Sequence, residues 1–265
     1  FEISQEPFGD GIIAYLRLFT FYQDPDNSSA SDLTRELEKL KAENNVKGVI
    51  LDLRYNSGGM LSQAVSVAGM FITKGIVVSI KDNTGHVQHL RDLDGKTVWN
   101  GPLVLLVNTL SASASEIVAQ TLQDYGRAII VGDKETFGKG SFQTFTLNSQ
   151  TDQVNPDGEY KVTRGRYYTV SGKSPQLVGV QADIIVPGAL SEMELGEKHA
   201  KYPLESDQIK ENFDDDLSDV PFLQKEQIRL LYKFDLQPKL NRYTYNLGRL
   251  KENSTYRISY NKNYQ

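Results

Sequence analysis

The sequence predicts an α/β fold, on three observations. Through residue 135, short extended runs alternate with helical stripes. Two of the runs, Val46–Leu53 and Pro102–Val107, are apolar nearly throughout, as in strands covered on both faces. A chain of 265 residues, 39% apolar, can also bury such a core without disulfides or a structural metal.

Each element has a local reason. Ile12–Phe19 reads as a strand that ends near the turn-forming Asp24-Pro25-Asp26-Asn27. A helix follows, capped by one of Asn27, Ser28, Ser29 or Ser31, with Leu33, Leu37 and Leu40 on one face. After the strand Val46–Leu53 comes a polar break at Tyr55-Asn56-Ser57-Gly58-Gly59. Leu61, Ala64, Val65, Ala68, Phe71 and Ile72 then form a helical stripe. Ile76–Ile80 and His86–Leu90 predict a hairpin around Asn83-Thr84-Gly85. The pattern repeats as a strand at Pro102–Val107, a helix at Ser113–Asp124 and a strand at Ala128–Val131. Further strands are expected at Phe142–Leu147, Tyr160–Thr163, Arg166–Val170 and Ile184–Val186. The sequence suggests two units, a core over 1–200 and a partly helical C-terminal appendage over 201–265. In the appendage, Phe222–Phe234 is helix-like, and the acidic run around Asp214-Asp215-Asp216 reads as a solvated face or a helix start. That run lacks the ligand spacing of a calcium loop.

Composition excludes several kinds of chemistry. There are no cysteines, which removes thiol nucleophiles, iron–sulfur clusters, thiolate zinc sites and disulfides. Only His86, His89 and His199 could support histidine chemistry; two belong to the hairpin and one lies outside the core. The net charge of −5 argues against nonspecific binding to nucleic acid or anionic lipid. No apolar stretch is long enough to span a bilayer, and no signal peptide is visible ahead of the first strand.

Three segments at strand ends could carry chemistry. Ser111-Ala112-Ser113-Ala114-Ser115-Glu116 lies between a buried strand and a helix, where free N–H groups and the helix dipole favour a developing oxyanion. Taken alone it reads first as a helix cap, because Ser113 and Glu116 match a capping box. Gly58-Gly59 lets backbone approach a substrate, although a simple turn is the commoner use of such a pair. Lys139 stands between Gly138 and Gly140, free to be aimed, or simply exposed on a turn. The spacing of a phosphate loop fails there. Gly132 lies one residue too far from Gly138-Lys139, and Gly140 replaces the required hydroxyl residue. Together the three segments supply a nucleophile, a backbone anion hole and a basic side chain, the parts of acyl transfer.

Four motifs follow in order: Asp52-Leu53-Arg54-x-Asn56-x-Gly58-Gly59, Ser111 to Glu116, Gln123-Asp124-Tyr125-Gly126-Arg127, and Phe137-Gly138-Lys139-Gly140-x-x-Gln143. With them the chain resembles the C-terminal processing (tail-specific) serine proteases, the bacterial periplasmic ones above all, over roughly residues 8–200. The resemblance implies a Clp protease/crotonase-like core of β-β-α units. It implies Ser113 as nucleophile, Lys139 as general base and Gln143 as the residue that orients the lysine. It assigns the oxyanion hole to the N–H groups of Gly59 and Ala114. It further implies protein or peptide substrates, unstructured or tagged at the C-terminus, a periplasmic setting, and no metal or cofactor. Homo-oligomerisation is left open.

Three departures from the family pattern stand out. The loop at Asp133-Lys134-Glu135-Thr136 is one residue longer, Ala182 replaces a proline, and no PDZ domain is visible in these residues. A lysine base must be neutral, so near pH 7 its ordinary pKa of about 10.4 has to fall by roughly 3, about 4 kcal/mol, which burial can supply. The competing readings are a catalytically silent binding or scaffold module on the same fold, and an acyl-CoA enzyme of crotonase type. The second leaves Gly138-Lys139-Gly140 unexplained.

Overall fold

The computed structural model describes residues 1–146, 160–232 and 234–264. Its larger sheet has the order β1-β2-β3-β6-β7-β10. The strands are β1 (Glu2–Phe8), β2 (Gly11–Arg17), β3 (Val46–Asp52), β6 (Leu103–Val107), β7 (Ile129–Gly132) and β10 (Ile184–Ile185). Only the β1–β2 pair is antiparallel; every pairing from β2 to β10 is parallel. The smaller sheet is antiparallel, in the order β5-β4-β9-β8. It is built from β4 (Gly75–Asp82), β5 (Val87–Asp92), β8 (Ser141–Thr146) and β9 (Tyr160–Tyr168).

Helix α1 (Ser29–Glu43) is capped at Ser28, where Ser28 and Ser31 bond reciprocally. Its buried Leu33 and Leu37 face the core. Helices α2 (Leu61–Gly69) and α3 (Ala114–Asp124) pack on each other between the two sheets' apolar faces. The core joins Leu16, Leu51 and Leu105 of the strands to Ala64, Val67, Val118 and Leu122 of the helices. Burying such side chains is worth about 1.5–3 kcal/mol each before chain entropy is counted.

The expected α/β architecture is therefore the observed one, with local differences. Strand β1 carries too little apolar alternation to stand out; it is an exposed edge that exists through its pairing with β2. The two strands expected at 160–163 and 166–170 are one continuous β9, because Gly165 lets the chain pass within van der Waals contact of Lys81 on β4. Leu147, at the end of one expected strand, and Lys233, within the expected 222–234 helix, lie outside the described residues.

Beyond residue 200 the chain straps onto the core. Asp215 and Asp219 were expected to be solvated, yet both side chains are buried on Arg91 of β5, at 2.6 Å each. Asp214 and Asp216 do face solvent. Helix α4 (Phe222–Tyr232) ends on Tyr232, whose hydroxyl bonds Asp215 at 2.5 Å. Lys74 then pairs with Asp235, Gln237 accepts from Thr73 N–H, and the Leu240 N–H donates to the Tyr125 carbonyl. Helix α5 (Thr244–Tyr260) follows, anchored where Tyr243 Oη accepts from Leu103 N–H. Among the described residues no helix is long and apolar enough to cross a membrane.

Candidate active site

The site lies where β3, β6 and β7 end, the crevice at the carboxyl ends of parallel strands. The first loop leaves β3 through Asp52, which is fully buried. Arg54 grips its carboxylate with Nε and Nη2, and Tyr15 adds its hydroxyl. Burial would raise the Asp52 pKa, but the Arg54 guanidinium and the Tyr15 hydroxyl outweigh it and hold it below the usual carboxylate value. The next residues are tied to the second loop. Tyr55 N–H donates to Asn108 Oδ1, Ala112 N–H to the Asn56 carbonyl, and Ser111 Oγ to the Leu53 carbonyl.

Gly58 and Gly59 both have positive φ, +107° and +145°. A Cβ on Gly58 would stand 2.8 Å from Ser113 Cβ, and one on Gly59 would stand 2.2 Å from the Phe21 carbonyl oxygen. Backbone approaches this closely only because no side chain intervenes. The Gly59 and Ala114 N–H groups make no backbone hydrogen bond among the described residues. Gly58 passes directly against the serine turn: a Cβ on it would also stand 3.1 Å from Ala114 N.

The three serines of the second loop separate cleanly. Ser111 and Ser115 are fully buried, with hydroxyls bonded to the Leu53 and Asn56 carbonyls at 2.8 and 2.9 Å. Ser113 is partly exposed and stands at φ 57°, ψ −114°. An ordinary cap residue is extended, so simple capping does not explain this backbone. A non-glycine residue held in so sparse a region marks a turn whose surroundings over-determine it, of the kind that projects a nucleophile.

Glu116 does more than a cap does. It is fully buried on α3, and its carboxylate accepts four hydrogen bonds. Ser113 N–H (2.8 Å) and Lys139 N–H (2.9 Å) share Oε2; Gly138 N–H (2.7 Å) and Thr136 Oγ1 (2.5 Å) share Oε1. One carboxylate therefore fastens the serine turn to the lysine loop. Burial pushes its pKa up, to about 7, against the pull of these four donors. Sequence reasoning had only its capping half, because the partners at 136–139 come from a separate loop.

The loop before Lys139 is held by pairing. Ala182 N–H donates to the Lys134 carbonyl, and Thr136 N–H to that of Val180. A proline at 182 would lack that donor. Lys139 and Gln143 line one cleft of about 1040 Å³, together with Ala112, Phe137 and Ser141. Gln143 is exposed, and its Nε2 donates to Thr163 Oγ1 at 3.4 Å. Of the histidines, His89 is buried against Ser79 at 2.7 Å, away from this cleft, as the sequence suggested.

Comparison with known proteins gives the family of the chain. The family model described as peptidase family S41 matches residues 12–186. The tail-specific protease of Haemophilus influenzae is 39% identical over 202 residues, covering 74% of this chain and 28% of that protein. The carboxy-terminal-processing protease of Bartonella bacilliformis is 35% identical over 231 residues, covering 83% and 51%. The chain thus spans between a quarter and a half of the length of these relatives. Among solved structures, a photosystem II D1 C-terminal processing protease superposes with a TM-score of 0.56 at 34% identity, over 66% of this chain and 42% of that one. The serine turn, the glycine pair and the lysine loop all fall inside the matched span, and the chain belongs to peptidase family S41.

Proposed function

We propose that this chain carries the centre of a serine endopeptidase of the C-terminal processing type, working through a Ser113–Lys139 dyad. The observation that carries the reading is the strained, accessible Ser113, fastened to the backbone of Lys139 through one buried carboxylate.

Lys139 takes the proton of Ser113 Oγ as the oxygen attacks the scissile carbonyl. The Gly59 and Ala114 N–H groups receive the oxyanion, each worth roughly 3 kcal/mol of transition-state stabilisation. Lys139 then protonates the leaving amine. A water molecule, deprotonated by the same lysine, releases the acyl-enzyme. Gln143 sits on the same cleft wall and orients the lysine once substrate is bound. Unstructured or C-terminally tagged proteins are the substrates, since an open cleft admits an extended strand more readily than a folded surface. The bacterial periplasm is the compartment, in keeping with a chain free of cysteine.

The test is incubation of the chain and its Lys139→Ala variant with casein, with products followed by mass spectrometry. Cleavage by the parent alone supports the dyad. Equal cleavage by both refutes it, and cleavage by neither favours a binding module.

A further inference from the structure

Tyr167 lies on β9, outside every motif that points to the site, and it is buried. Its hydroxyl donates to the Lys139 carbonyl and lies 3.2 Å from the Ser113 carbonyl. Glu116 accepts from the N–H groups of the same two residues. Both peptide faces of the nucleophile and of the lysine are therefore gripped in common, by a carboxylate on one side and a phenol on the other. The phenol is not needed to satisfy Ser113, whose carbonyl already accepts from the Glu116 and Ile117 N–H groups at 2.9 and 3.0 Å. Its second contact links two loops.

We propose that Tyr167 is a positioning residue for the dyad, its single hydroxyl proton fixing the Lys139 backbone against the Ser113 turn. The inference rests on the Ser113–Lys139 reading above. Burial raises the phenol pKa well above 10, so the hydroxyl stays a donor through the whole working range of pH. The backbone N–H of Tyr167 also donates to the Gly140 carbonyl at 2.8 Å, which anchors the ring's own strand to the same loop. The lysine loop is thus held by β9 on one side and by α3 on the other, and neither hold touches the reacting atoms.

Tyr167→Phe keeps the ring and removes the proton. Tyr125→Phe is the control, since the Tyr125 hydroxyl is equally buried and donates to the Ile76 carbonyl at 2.9 Å, within the core. Turnover of an internally quenched, unstructured peptide gives kcat and KM, and the labelling rate of Ser113 by a fluorophosphonate reports nucleophile activation directly. Misplacement of a reacting group on the order of 1 Å costs about 100-fold, so Tyr167→Phe is expected to lower kcat and the labelling rate 10- to 100-fold, with KM within 2-fold. Tyr125→Phe is expected to lose thermal stability comparably while keeping kcat. If Tyr167→Phe is only partly folded, labelling at 10 °C, normalised to the folded fraction from circular dichroism, gives the same comparison. Parent kcat and labelling rate in Tyr167→Phe would overturn the proposal, as would equal losses in the Tyr125 control. Ser113→Ala and Lys139→Ala run in parallel. If these stay active, the dyad itself has failed and the inference falls with it; if they are dead while Tyr167→Phe is not, only the inference has failed.

Discussion

Replacing each serine of the 111–115 segment by alanine separates structure from chemistry. Ser111 Oγ donates to the Leu53 carbonyl at 2.8 Å and accepts from Asn108 N–H at 3.0 Å, with no exposure to solvent. Its loss removes two bonds and orphans a buried N–H, about 2–4 kcal/mol. Ser115 makes one bond, to an Asn56 carbonyl that also accepts from Ala112 N–H, so its loss costs about 1 kcal/mol. Ser113→Ala costs less than about 1 kcal/mol, because the bond to Glu116 runs through the backbone N–H that alanine keeps. At this chain length each kcal/mol moves Tm by about 2–4 °C. The expected order of Tm loss is Ser111, then Ser115, then Ser113. Activity is expected to follow a different pattern: Ser113→Ala inert, the other two active when folded. Differential scanning fluorimetry and casein hydrolysis on the same preparations read both. An active Ser113→Ala, or a fully stable Ser111→Ala without activity, would refute the assignment of the nucleophile.

Two further outcomes are expected. The folded-state pKa of Glu116 is raised, from an ordinary 4.5 to about 7, so its contribution to stability is present below about 4.5 and is lost as pH rises through about 7; Glu116→Gln should flatten the Tm-against-pH curve over that window, and parallel curves would show that the group does not titrate there. Burial lowers the His89 pKa, with Asp219, Asp215 and Asp216 opposing that shift and Arg91 adding to it, so its contribution is full above about 6.5 and is lost as pH falls below that; His89→Gln should remove an acid-side drop in Tm below about pH 6.5, and a drop of unchanged size would assign the loss to other groups.

How far the site was legible depended on how local each signal was. The serine segment 111–116, the glycine pair and the Lys139 loop stand beside their own strand ends, so alternation of runs and breaks located the segments, while the choice of Ser113 within its segment came from the resemblance to the tail-specific proteases. The turn at Ser113 was harder to read, because Ser-x-x-Glu fits an ordinary cap and only the observed backbone separates the two uses. Glu116 was visible as that cap, while its bonds to 136–139 were not, since they arise when β7 and α3 meet across the fold. The acidic run was legible only in part for the same reason: Asp214 and Asp216 face solvent as read, and Asp215 does not. Three successive aspartates look solvated until Arg91 of a distant strand is brought between Asp215 and Asp219. Helix α5 is polar with scattered tyrosines, a stretch whose periodicity gave no helical stripe, and none of its residues is buried.

The sequence by itself determined the alternation of strands and helices, the buried parallel strands and the three loops that end at one crevice. These follow from side-chain periodicity and backbone freedom, which are properties of neighbours along the chain. Only the tertiary structure decided which serine is accessible, which carboxylate joins the serine to the lysine, and that Tyr167 closes the opposite side. Those are contacts between segments far apart in sequence. They form because buried donors and acceptors must find partners wherever packing places them, and no local pattern encodes that choice.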